Sequence, residues 1–135
     1  MSTSAVVGDT PYYVLMDGNC RIGPRMVWLR TETECLAIYG FADKGPYDRF
    51  CIHSELGLKP YPLVKGYLRD QLDVPGDRLK LVVVDASGPC EPFLYAATMG
   101  AVLEAHEKRE TEVVMAYRLV FDQQANAYRV QEASV

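Results

Sequence analysis

Residues 79–84 read Leu-Lys-Leu-Val-Val-Val, and apart from Lys80 both alternating faces of this run are apolar. Successive side chains of a strand leave the sheet on opposite sides, so a run of this kind belongs at the centre of a sheet covered on both faces. At 135 residues the chain is long enough to supply that cover. A domain of this size buries roughly two-thirds of its unfolded surface without help from metals or crosslinks. One hydrophobic core is the expectation.

The flanking segments sort by period. Residues 1–10 are small and polar and read as a flexible N-terminal tail, with one α+β domain over 11–135. Tyr12 to Met16 favours a strand and ends at the turn-forming Asp17-Gly18-Asn19. Arg25 to Thr31 and Cys35 to Phe41 add two more strands, making an N-terminal three-strand meander. Pro46 suits the first turn of a helix in which Tyr47, Phe50 and Cys51 share a face, with Gly57 as its stop. Pro60 and Pro62 open a second helix carrying a stripe of Leu63, Val64, Tyr67, Leu68 and Leu72.

After the central run, Asp85 to Pro92 is a loop and Phe93 to Ala96 a short strand. Thr98 then caps a helix whose Met99, Val102, Leu103 and His106 share one face. Glu112 to Phe121 and Ala127 to Glu132 form a C-terminal hairpin. The whole is α+β: a mostly antiparallel sheet packed with about three helices, in an order close to a split βαβ arrangement.

Composition removes several classes of function. A net charge of -4 gives no long-range attraction to phosphate backbones, so no nucleic-acid partner is expected. The basic-aromatic stretch from Lys59 to Arg69 has three positive charges and reads as a wet helix face. The longest aliphatic stretch, Leu81 to Val84, is far short of the roughly 18 residues a membrane helix needs. Met1 to Asp9 carries no positive residue and no signal-like apolar run, so the expected compartment is the cytoplasm. Cys20, Cys35, Cys51 and Cys90 are fifteen, sixteen and thirty-nine positions apart, which fits neither Cys-x-x-Cys metal nor redox pairs; free thiols are expected. With two histidines in the chain, a histidine-based metal site lacks ligands, and no glycine-rich phosphate motif is present. No metal or cofactor is expected.

The residues with chemistry to offer are few. Cys51 and His53 are the first nucleophile-base pair to consider, but on a helix i and i+2 point about 200° apart. His106 reads as a boundary residue near a helix C-terminus. The loop after the central strand holds Asp85, Ser87 and Cys90, at the carboxyl end where open sheets often bind ligands. Arg49 and His53 on the facing helix would complete such a pocket. The same loop residues are ordinary turn formers. Against this stands an aromatic surplus of nine tyrosines, four phenylalanines and one tryptophan. Tyr117, Phe121 and Tyr128 fall together on the terminal hairpin, where a second copy or another protein would bury them. The sequence therefore favours a non-catalytic, self-associating interaction domain over a small-molecule binder or enzyme with its pocket beside Asp85 to Cys90.

Overall fold

A computed structural model of the chain describes residues 6–17, 20–26, 35–52, 59–74, 79–86, 88 and 91–132. The elements in chain order are β1 (Val7–Asp9), β2 (Tyr13–Asp17), β3 (Cys20–Arg21), β4 (Cys35–Phe41), α1 (Lys44–Ile52), β5 (Lys59–Pro62) and α2 (Lys65–Asp73). They continue as β6 (Leu79–Val84), β7 (Phe93–Thr98), α3 (Met99–Lys108), β8 (Glu112–Val114), β9 (Tyr117–Asp122) and β10 (Ala127–Glu132).

The apolar run becomes β6, at the centre of a sheet ordered β10, β9, β7, β6, β4, β2, β3, with β5 added on β2. β6 lies parallel to β4, Ile38 opposite Val82, and antiparallel to β7, Val82 opposite Ala97. The other strand pairings are antiparallel. The α+β class, the mostly antiparallel sheet, the three helices and the C-terminal hairpin are as the sequence predicts. The two parallel strands are direct neighbours, so the α1-β5-α2 crossover returns beside the strand it left.

Each face of β6 has its own cover. Leu81 and Val83 pack with Leu15, Tyr39, Phe41, Leu94 and Leu119 under Tyr47 and Phe50 of α1. Val82 and Val84 pack with Val14 and Ile38 under Leu68 of α2 and Met99, Val102 and Ala105 of α3. The Thr98 hydroxyl caps α3 by accepting from the Ala101 N–H at 3.1 Å. Lys80, the one polar residue of the run, is buried on the helical side and donates to the carbonyls of Gln71 and Val74 at the end of α2. The Gln71 carbonyl also accepts from the Val74 N–H at 3.4 Å, so the ammonium adds a second donor at the C-terminal end of the helix.

The structure departs from the sequence reading at four places. Pro60 and Pro62 do not open the second helix; they lie in β5, and α2 starts at Lys65. Leu63 donates to the Tyr12 carbonyl, so the alternate positions 60 and 62 turn their nitrogens away from β2, where a missing N–H leaves no ladder bond unmade. The segment 112–121 is not one strand, because Met115 and Ala116 divide it into β8, paired with β1, and β9, paired with β7. Residues 7–10 are not a loose tail: β1 pairs with β8, and Thr10 is buried with its hydroxyl donating to the Glu110 carbonyl.

The meander also changes. β2 pairs directly with β4 and with the two-residue β3. The described part of the expected middle strand, Arg25 and Met26, reaches β10 instead, where Tyr128 N–H donates to the Arg25 carbonyl. Gly23 makes this route possible, since a Cβ there would stand 1.8 Å from the Ala37 carbonyl oxygen. The rest of that strand, the Gly18-Asn19 turn and the Gly57 stop lie outside the described residues. No described helix is long and apolar enough to cross a membrane.

Candidate functional site

Two regions offer surface that the core does not use. The first is the corner where the parallel strands β4 and β6 end. Asp85 follows β6 with a left-handed backbone, φ 50°, which aspartate adopts more readily than most residues. Its N–H donates to the Gly40 carbonyl, and its carboxylate accepts from the Ala42 N–H at 2.9 Å. Burial pushes the Asp85 carboxyl above its ordinary value; the Ala42 N–H opposes that rise, the charges of Asp9 and Asp43 add to it, and Arg49 opposes it. Ser87, Cys90 and His53, the other members of the expected pocket, lie outside the described residues.

The described thiol of α1 and the described imidazole each have packing or hydrogen-bond partners. Cys51 is a free, partly buried thiol on α1, packed against the core. Burial drives the Tyr47 phenol well above its ordinary value, with the Cys51 thiol one turn on adding to the effect. That thiol is close enough to act on the phenol but not placed to accept an ordinary hydrogen bond from it. His106 is committed elsewhere: Nε2 donates to the Pro11 carbonyl at 2.7 Å, and the ring stacks on Tyr12 at 4.6 Å. No group of three or more His, Cys, Asp or Glu among the described residues could hold a metal ion.

The second region is the outer half of the sheet. α2 and α3 cover one face of the sheet over β2, β4, β6 and the Ala97 end of β7, and no described helix covers the Phe93 end of β7 or the strands β9 and β10. The register places Phe93 opposite Val120 and Tyr95 opposite Arg118, with Arg129 and Gln131 next along the same face. Phe93 is 50% exposed and Tyr95 38% exposed. The Arg118 guanidinium lies 5.6 Å from the Phe93 ring centre and donates to Gln131 at 2.7 Å. Arg129 pairs with Asp122 at 2.6 Å. Aromatic rings and arginines side by side on exposed strands are side-chain types enriched at protein interfaces.

The hairpin aromatics expected at an interface face the other way. Tyr128 is 4% exposed, and its hydroxyl donates to the Glu91 carbonyl. Tyr117 packs against the same core, and Phe121, 36% exposed, meets Tyr128 edge-on at 5.3 Å. The open surface is one residue out of phase with them. Phe93, Tyr95 and Arg118 were missed because β7 alternates aromatic with aliphatic residues and shows no polar phase. The signal lay in β9 and β10, where Arg118, Arg129 and Gln131 mark the outward side.

These observations define an α+β domain with one sheet half under helices and one half bare. Comparison with protein-family models, curated proteins and solved structures finds no match to the chain.

Proposed function

We propose that this chain is a non-catalytic interaction domain whose working surface is the bare half of the sheet. The observation that carries this reading is the exposure of Phe93 and Tyr95 on a face that α2 and α3 cover elsewhere. Scattered surface apolar groups are ordinary, but adjacent aromatics on one strand, beside Val120 and an arginine on the next, make a contiguous patch. Tyrosine and arginine bring large contact area with polar ends, and strands in a sheet present them from a fixed backbone.

A second reading is favoured by one specific feature, the half-buried Asp85 carboxylate held in a left-handed backbone. Backbone strain of this kind collects at ligand sites, so a small polar molecule at the carboxyl ends of β4 and β6 is the competing function.

A fragment screen read by amide chemical shifts separates the two. The interaction reading expects aromatic fragments to move residues 93–95 and 118–120, because interface hot spots capture small rings. Shifts gathered at Ala42, Arg49 and Asp85, with none on β7 or β9, would replace it with the small-molecule reading.

A further inference from the structure

We infer that Cys51 is a site of oxidation by hydrogen peroxide, at which the Tyr47 hydroxyl holds the oxygen that the sulfur gains. Among the described residues, the buried side-chain atoms without a hydrogen-bond partner are Nε of Arg21, Nε of Arg118 and the hydroxyl of Tyr47. The two guanidinium groups are engaged through their other atoms, Arg21 over the Tyr67 ring at 3.6 Å and Arg118 on Gln131 at 2.7 Å. The phenol has one polar atom and nothing bonded to it. Tyr47 is 4% exposed, and a buried hydroxyl left unpaired is rare in a folded protein because it has given up water for nothing.

The unpaired hydroxyl lies beside a thiol. Tyr47 and Cys51 are four residues apart on α1, and helical side chains lean toward the N-terminus, so the thiol stands back over the tyrosine. The Tyr47 ring is held edge-on against Phe41 at 5.8 Å, and Phe50 packs on both Phe41 and Tyr39. That packing keeps the phenol from turning out to solvent. Burial first and the Cys51 thiol second drive the phenol pKa up, so the group stays protonated and its O–H remains a donor. Cys51 itself is free and only partly buried, at the end of α1 where Ile52 is 77% exposed. Oxidation of cysteine follows exposure, and peroxide is small enough to reach such a thiol.

The Cys51 thiol gives its proton to solvent, and the sulfur attacks one oxygen of hydrogen peroxide. The S–O bond forms as the O–O bond breaks. The sulfur is oxidised by two electrons to sulfenic acid, and the departing hydroxide takes up a proton and leaves as water. The new oxygen is a better acceptor than the thiol sulfur, and Tyr47 donates to it. Sulfinic acid, the next and irreversible stage, needs the same sulfur to attack a second peroxide. A sulfenic acid drawn by its hydrogen bond into the contact between α1 and the sheet presents that sulfur less, so the site supplies persistence rather than speed. α1 covers the opposite face of the sheet from α2 and α3, and this chemistry is independent of the working surface proposed above.

The experiment treats the full chain with equimolar hydrogen peroxide and quenches samples over time into denaturant containing dimedone, which captures sulfenic acid; peptide mass spectrometry then reads each of the four cysteines. The expected result is a long-lived dimedone adduct on Cys51. Tyr47→Phe keeps the ring and removes the donor, and should shorten the life of the Cys51 sulfenic acid about ten-fold. In the reduced state the same variant should have a Tm equal to or above that of the parent, because it loses only an unsatisfied group. A merely structural hydroxyl would move the Tm and leave the lifetime alone. No adduct on Cys51, or a lifetime unchanged in Tyr47→Phe, overturns the inference. So does a lowered Tm of the reduced variant, which would mean that the hydroxyl already has a partner such as water. Cys51 recovered as a disulfide or as sulfinic acid, with no sulfenic acid captured on the way, overturns it as well.

Discussion

The two halves of one sheet face follow the same strand geometry and end in opposite environments. Over β2, β4 and β6 the outward positions are Val14, Ile38 and Val82, all buried beneath α2 and α3. Over the outer part of β7, β9 and β10 the equivalent positions are Phe93, Tyr95, Arg118, Val120 and Arg129, and no described helix covers them. The covered half is aliphatic and completes the core. The bare half is aromatic and basic, a composition that the core does not require and that is common at protein interfaces. Under the proposed function, stability and binding would be separated on one surface, and substitutions can test the separation.

The largest contrast comes from one change made on both sides. Val82→Asp buries an unpaired carboxylate under two helices and should cost more than about 4 kcal/mol, enough to unfold the domain. Val120→Asp on the bare half should cost less than about 1 kcal/mol. Chemical denaturation of the two variants measures both, and equal losses would mean that the outer half is as much a part of the core as the inner.

Smaller effects sharpen the account of how the covered half is built. Lys80→Met keeps the aliphatic stem but takes the charged donor from the carbonyls at the end of α2, and should cost about 2 kcal/mol. An unchanged midpoint would show that water serves those carbonyls equally well. Thr98→Ala removes the hydroxyl that caps α3 and should cost about 1 kcal/mol, read as a lowered Tm.

What the sequence disclosed follows from range. β6, the apolar face of α1 and the Thr98 cap depend on residues within one turn or one strand, and each was legible. Prolines 60 and 62 misled because a proline in a first turn and one on an edge strand differ only in what lies alongside, here β2. The break at Met115 and Ala116 was hidden because apolar residues continue across it while the pairing partner changes from β1 to β7. The site was the least legible part. Whether Phe93 and Tyr95 face solvent depends on where α2 and α3 stop, and that is decided by contacts between elements far apart in the chain.

The smallest effect tests the corner where cover over β6 ends. Asp85 has a carboxyl pKa raised above its ordinary 3.8, chiefly by burial. A raised acid binds its proton more tightly in the folded than in the unfolded chain, so its charge opposes folding at neutral pH, and the penalty is relieved as pH falls through the folded pKa toward 3.8. Asp85→Asn keeps the left-handed backbone and an oxygen for the Ala42 N–H while removing the charge. It should gain less than about 1 kcal/mol at pH 7, solvent screening included, and the gain should vanish on acidification. Asp122, whose pKa is lowered through its hydrogen bond to Arg129, contributes the opposite slope in both proteins and cancels from the difference. Stability curves from pH 3 to pH 7 decide the matter. An Asp85→Asn protein less stable than the parent at neutral pH would mean that attraction to Arg49 outweighs burial, and the corner would then be a built ion pair rather than a strained carboxylate at the rim of the core.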